Sequence, residues 1–184
     1  MQAARGASLT RDHASRLRLL FGIAVVAWLT DLTTKVIAQH QLADRGPVDV
    51  VGSLLRLNLT RNAGAAFSTG TSMTPVIAVF ALAAFVVVAV LAVRVGTTGW
   101  AWAMGLLLAG IAGNLTDRIF REPGPLRGHV IDFLQLPHWP IFNVADICIN
   151  AAAVLIVVQS VRGVPMRGRD AAEPAPSPEP GARR

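Results

Sequence analysis

The sequence predicts an all-α membrane protein with four transmembrane helices, and three observations predict it. Of 184 residues, 53% are hydrophobic and only 15% charged, an apolar share well above that of an ordinary soluble domain. Four apolar stretches each approach the roughly 20 residues that cross a bilayer. The charge is segregated: residues 1–18 and 162–184 hold nine of the seventeen Lys/Arg and four of the eleven Asp/Glu, leaving eight basic and seven acidic residues between them. The overall +6 therefore belongs to two tails. There it acts on orientation and on anionic lipid headgroups, and no nucleic-acid partner is expected.

The first span runs from Leu17 to about Ala38. It is too long for the apolar region of a cleaved signal peptide, lacks a small-residue cleavage site and carries Asp31 and Lys35 at its far end, so it reads as retained. The loop from Gln39 to Met73 contains Val48 to Asn62, where Val50, Leu55, Leu57 and Leu59 fall among small and polar residues. That partial alternation predicts short strands on the membrane surface. Spans two (Pro75 to Val95) and three (Trp100 to Phe120) are joined by a short turn holding Arg94. The loop from Arg121 to Pro140 is broken by Pro123, Pro125 and Pro137, and the expectation is a folded-back turn with one short helix between Val130 and Leu136. Span four runs from Ile141 to Val161, and Trp100, Trp102 and Trp139 fit an interfacial belt.

The N-terminal tail, the Arg94 turn and the C-terminal tail hold ten Lys/Arg against five in the two longer loops, which places both termini in the cytoplasm. After Val164, five prolines stand among small and charged residues that cannot bury enough apolar surface to order themselves. Residues 1–163 thus read as a four-span membrane domain and 164–184 as a disordered Pro-rich cytoplasmic tail.

An ionisable group in a span costs roughly 2.5–3.5 kcal/mol on insertion scales, so each one needs a reason. Asp31, Thr34 and Lys35 share one face of span one at i, i+3 and i+4. Taken alone, Asp31 and Lys35 read as a structural ion pair near the outer interface, with Lys35 snorkelling. Asn114, Asp117 and Arg118 form a similar face on span three beside Gly110 and Gly113, which permit close helix approach. Arg118 is the expected salt-bridge partner of Asp117, mainly in a structural role. Asn143, Asp146 and Asn150 make a polar stripe on span four that must look into the bundle or a wet cavity.

Asp132 lies in an apolar run that must return the chain to span four, so it can meet Asp146 at the same depth. Two such carboxylates suit a shared-proton pair, because like charges a few ångströms apart do not both ionise. Ion translocation through Asp31, Asp117 and Asp146, a non-catalytic assembly role and a plain structural role remain alternatives. A relay requires carboxylates at graded depths, whereas these cluster near the outer ends of their spans. Other chemistries are weaker. The single cysteine, Cys148, lies within span four with no histidine to activate it and excludes a disulfide framework or Cys-rich metal site. His129 and His138 lack ligand spacing, and Ser68 has no paired base nearby.

Five motifs stand in order between Trp28 and Ala151: Asp31-Leu32-Thr33-Thr34-Lys35, Asn58 to Ser68, Gly113-Asn114-Leu115-Thr116-Asp117-Arg118, Val130-Ile131-Asp132-Phe133, and Phe142-Asn143-Val144-Ala145-Asp146. Together they resemble the lipoprotein signal peptidase family, the bacterial signal peptidase II enzymes. The resemblance implies a four-helix bundle with a small extracytoplasmic β-cradle from the first loop and a short surface helix from the third. It also implies an intramembrane aspartic endopeptidase that removes signal peptides from diacylglyceryl-modified prolipoproteins, cutting before the lipidated cysteine. Asp132 and Asp146 match the family's catalytic pair. Asn62, Asn114, Asp117, Arg118 and Asn143 match residues that bind substrate or brace the site, and Asp31 and Lys35 match a pair on the first span. No metal and no cofactor are implied. The implied partners are the lipid-modified prolipoprotein and membrane lipids. The implied setting is a monomer in the bacterial plasma membrane with its active site near the outer leaflet. Against the family's pattern, the connection from Asp132 to Asp146 is short and the C-terminal tail is long and Pro-rich.

Overall fold

The computed structural model describes residues 2–64 and 73–167. Ser68, the neighbouring part of its motif and residues 168–184 of the Pro-rich tail lie outside them. Four helices and three strands follow in the order α1 (Gln2–Leu42), β1 (Val48–Val51), β2 (Leu55–Asn62), α2 (Thr74–Ala92), α3 (Thr98–Phe120), β3 (Val130–Gln135) and α4 (Val144–Val161). Three helical stretches, Asp12–Leu42, Thr74–Ala92 and Val144–Val161, are long and apolar enough to cross a membrane.

Helix α3 lies at the centre, packed most extensively on α4 and α1 and also on α2. Its small residues explain the position. Gly110 lies against Ile149 and Ala145 of α4, and Gly113 lies against Ala145 and the Asp31 carboxylate of α1. A β-carbon at Gly113 would occupy the space through which Asp31 reaches α4. At one end of the bundle Leu20, Ala92, Val95, Trp100, Met104 and Leu108 form an apolar cluster. Trp100 belongs to that core, and its indole donates to the Val164 carbonyl at 2.9 Å. Trp102 and Trp139 are exposed and remain compatible with a belt, whereas Trp100 is not a belt residue.

At the other end the strands form one antiparallel sheet, β1-β2-β3. The expected strands within Val48 to Asn62 are β1 and β2. The expected short helix between Val130 and Leu136 is instead β3, paired with β2 through Thr60↔Asp132, Arg61↔Ile131 and Asn62↔Val130. Val130, Ile131, Asp132 and Phe133 are all buried, so both faces of this strand are covered and the sequence lacks the alternation of a half-exposed strand. The sheet is anchored on α1 by Leu57, Leu59 and Phe133, which pack on Ala38 and Leu42.

Beyond β3 the chain doubles back. Phe142 N–H donates to Leu134 O at 2.9 Å, while Phe142 O accepts from Phe133 and Leu134. This bridge delivers the next residue, Asn143, beside β3 and starts α4 at Val144 rather than at Ile141.

Candidate active site

Asp132 and Asp146 come to one place because three elements converge there: β3 with its partner β2, the start of α4 and the middle of α3. Opposite residues of an antiparallel pair share a face, so Thr60, Asn62, Val130 and Asp132 look the same way. Asp146 is the third residue of α4, which begins with a capping box. Asn143 Oδ1 accepts the Asp146 backbone N–H at 3.1 Å, and Asp146 Oδ2 accepts the Asn143 backbone N–H at 3.1 Å. Asn143 is therefore the cap before span four rather than part of its helical stripe. The Asn-x-x-Asp spacing ahead of an apolar run is a sequence signal that carries this role.

The two carboxylates are held chiefly by uncharged amides. Asp132 Oδ2 accepts from Asn62 Nδ2 at 2.9 Å and Asp132 Oδ1 accepts from Asn143 Nδ2 at 2.6 Å. Asp146 Oδ1 accepts from Asn114 Nδ2 at 2.9 Å. Asn62 is itself fixed, because its Oδ1 accepts the Gly64 N–H at 2.7 Å. Asp132 is buried, and that burial is the main reason its carboxyl is pushed up to about 6. The amides of Asn62 and Asn143 and the Lys35 charge oppose the rise, while the Asp146 charge adds to it. Asn62, Asp132, Trp139, Asp146 and Asn150 line an open groove of about 550 Å³ whose remaining walls are mostly apolar. That size is within the range of small-ligand pockets, and its mixed lining suits an extended peptide with an apolar neighbour.

Behind the dyad lies a buried ion network. Lys35, fully buried, places Nζ at 2.8 Å from Asp31 Oδ2 and 2.9 Å from Asp117 Oδ2, and donates to Asn114 Oδ1 at 3.1 Å. The Asp31–Lys35 pair is thus present, but Lys35 does not snorkel. Asp117 also receives Arg121, which in turn reaches Gln39, and it accepts the Ile131 N–H at 3.2 Å. Among the described residues the partners of Asp117 are Lys35 and Arg121 rather than Arg118. The reason is geometric. Arg121 stands one helical turn beyond Asp117, while Arg118 points along a neighbouring direction, is buried and leaves its Nη1 without a hydrogen-bond partner. The i, i+4 spacing of Asp117 and Arg121 is a sequence signal for this pair, whereas nothing in the sequence points to Gln39. Asp31 also accepts the Ala145 N–H at 2.8 Å, so a carboxylate of α1 satisfies the amino end of α4. Cys148 is buried on α4.

Residues 23–162 match the family model described as signal peptidase (SPase) II. The lipoprotein signal peptidase of Mycobacterium bovis is 44% identical over 148 residues, covering 80% of this chain and 73% of that protein. The lipoprotein signal peptidase of Streptomyces coelicolor is 44% identical over 149 residues, covering 81% of this chain and 73% of its own length. Among solved structures, a bacterial membrane enzyme determined by the in meso method at 2.3 Å resolution superposes with a TM-score of 0.64 at 25% identity, covering 82% of this chain and 92% of the other. A second, at 1.9 Å resolution, superposes with a TM-score of 0.63 at 27% identity, covering 78% and 92%.

Proposed function

This chain belongs to the signal peptidase II family, a bacterial membrane peptidase family that removes signal peptides from prolipoproteins, and we propose that it does so as an aspartic endopeptidase whose catalytic dyad is Asp132 and Asp146. The observation that carries the reading is the double role of Asn143. Its side-chain amide donates to Asp132 and its backbone N–H donates to Asp146, so one residue ties both carboxylates to the same groove.

The chemistry follows from the two environments. Asp132, buried among amides, carries the shared proton; Asp146, at the amino end of a helix and less buried, is the carboxylate that faces water. Asp146 takes a proton from the attacking water as its oxygen bonds to the scissile carbonyl carbon, and Asp132 gives its proton to the carbonyl oxygen. The resulting diol collapses when Asp146 returns its proton to the leaving nitrogen, the C–N bond breaks, and a diol hydroxyl proton restores Asp132. No covalent enzyme intermediate forms. Asn62, Asn114, Asp117, Arg118 and Asn143, with Asp31 and Lys35, bind the peptide or brace this geometry.

The substrate is a prolipoprotein with a diacylglyceryl-modified cysteine, cut on the amino side of that cysteine. The apolar wall of the groove, formed by residues such as Ile147 and Val154, suits lipid chains that stay in the bilayer beside α4. Helix α3, 23 residues long and so about 34 Å at 1.5 Å per residue, serves as the fourth span. The ten-to-five division of Lys/Arg puts both termini in the cytoplasm and the sheet, with the dyad, near the outer leaflet. One chain supplies the whole proposed dyad and its braces, which suits an enzyme that acts as a monomer. Incubation of the purified protein with a lipid-modified prolipoprotein tests the reading. The expected product is a mature lipoprotein beginning at the modified cysteine, and an uncut substrate or a different new terminus overturns it.

A further inference from the structure

The proton transfers above leave the specific part played by Lys35 open, yet an ammonium with no exposed surface is costly to bury. Its Nζ lies 2.8 Å from Asp31 Oδ2 and 2.9 Å from Asp117 Oδ2 as ion pairs, and donates a hydrogen bond to Asn114 Oδ1 at 3.1 Å. Two carboxylates already neutralise the charge. The hydrogen bond goes instead to an uncharged amide whose other end is the donor to Asp146, at 2.9 Å.

An ammonium only donates, so the atom of Asn114 that faces Lys35 must be the oxygen, and the NH2 group must then face Asp146. Asn143 Nδ2 reinforces the choice by donating to the same Asn114 oxygen at 3.1 Å. Turned over, the Asn114 amide would set its NH2 against the ammonium and the Asn143 NH2, and its oxygen against the Asp146 carboxylate. The bond from Lys35 also polarises the amide and strengthens its donation at the far end. Resting on the dyad reading, we propose that Lys35 is a positioning residue for peptide hydrolysis, acting on Asp146 through the side chain of Asn114. It touches neither substrate nor reacting atoms.

Lys35→Met alone would leave Asp31 facing an apolar chain, so the informative comparison is Lys35→Met with Asp31→Asn against Asp31→Asn alone. Asn at 31 can still accept from Ala145 N–H, and Asp117 keeps Arg121. With full-length protein, melting temperature and single-substrate kinetics on a lipid-modified prolipoprotein are measured together. The added Lys35→Met change is expected to lower kcat about 10- to 100-fold, the range for losing one hydrogen bond to a charged group, while KM and the melting temperature stay near those of Asp31→Asn. An unchanged kcat in that pair overturns the proposal. If the paired variant does not fold, Asn114→Asp decides. It keeps an oxygen for Lys35 but replaces the amide donor to Asp146, and a parent-like kcat in it overturns the proposal, because the relay from Lys35 to Asp146 runs through that donor. Active Asp132→Asn and Asp146→Asn variants would sink the dyad itself; inactive ones beside normal Lys35 and Asn114 variants would sink this positioning role alone.

Discussion

Lys35 Nζ stands 2.9 Å from Asp117 Oδ2, a contact that joins α1 to α3 beneath the sheet and is invisible to the spacing of either helix. Because Asp31 also depends on this ammonium, Lys35→Ala leaves a carboxylate without its cation in a poorly hydrated interior. The expected loss is about 3–5 kcal/mol, the range for breaking a buried pair from one side. Thermal denaturation in detergent checks it, and an unchanged midpoint would show that the network is solvated.

A pH dependence follows from Asp132. Its carboxyl is raised from 3.8 to about 6, chiefly by burial, so the folded protein holds this proton more tightly than the unfolded chain. Between those values the folded state binds more protons, and stability therefore falls as pH rises. The contribution is complete below about pH 4 and lost above about pH 6, on the order of 3 kcal/mol in all. Asn at 132 does not titrate. The stability of Asp132→Asn relative to the parent should improve as pH is raised from 4 to 8; a difference that stays flat across that range would contradict the assignment.

Cys148 is buried on α4, away from any activating histidine of that helix, so Cys148→Ser should keep most of the cleavage activity with a small packing change. Loss of cleavage with an unchanged melting temperature would point instead to a thiol nucleophile.

Orientation is tested at Gly46 and Gly124, in the two loops that carry fewer basic residues. Reporter fusions at both sites should report export. A cytoplasmic signal from either would invert the placement of the sheet and the dyad.

Much of this arrangement was legible in the sequence, and the failures have physical causes. Span two is a long apolar run and span four is apolar apart from its few polar residues, and the strands within Val48 to Asn62 show a partial alternation. β3 reads as a short helix in the sequence because Val130 to Phe133 are buried on both faces, which erases the period that separates a strand from a short helix. Pairing with β2, some 70 residues earlier, decides its conformation. The Asp31–Lys35 pair was readable from i, i+4 spacing, whereas the Lys35 contacts to Asn114 and Asp117 depend on how α1 and α3 cross. Adjacency in sequence suggests Arg118 as the partner of Asp117, but adjacent residues on a helix point about 100° apart and Arg121 lies on the correct face. The i, i+3, i+7 spacing suggests that Asn143 belongs to a helical stripe, but its Asn-x-x-Asp spacing marks where the helix begins.

The dyad is tested most directly by mass analysis of a lipid-modified prolipoprotein incubated with Asp132→Asn, with Asp146→Asn and with the double variant. Asn retains the size of Asp but cannot cycle a proton. Each single variant should fold and leave the substrate uncut, and the double variant should be no worse than either, because the two residues act as one unit. Cleavage at close to the parent rate by either single variant would contradict the account.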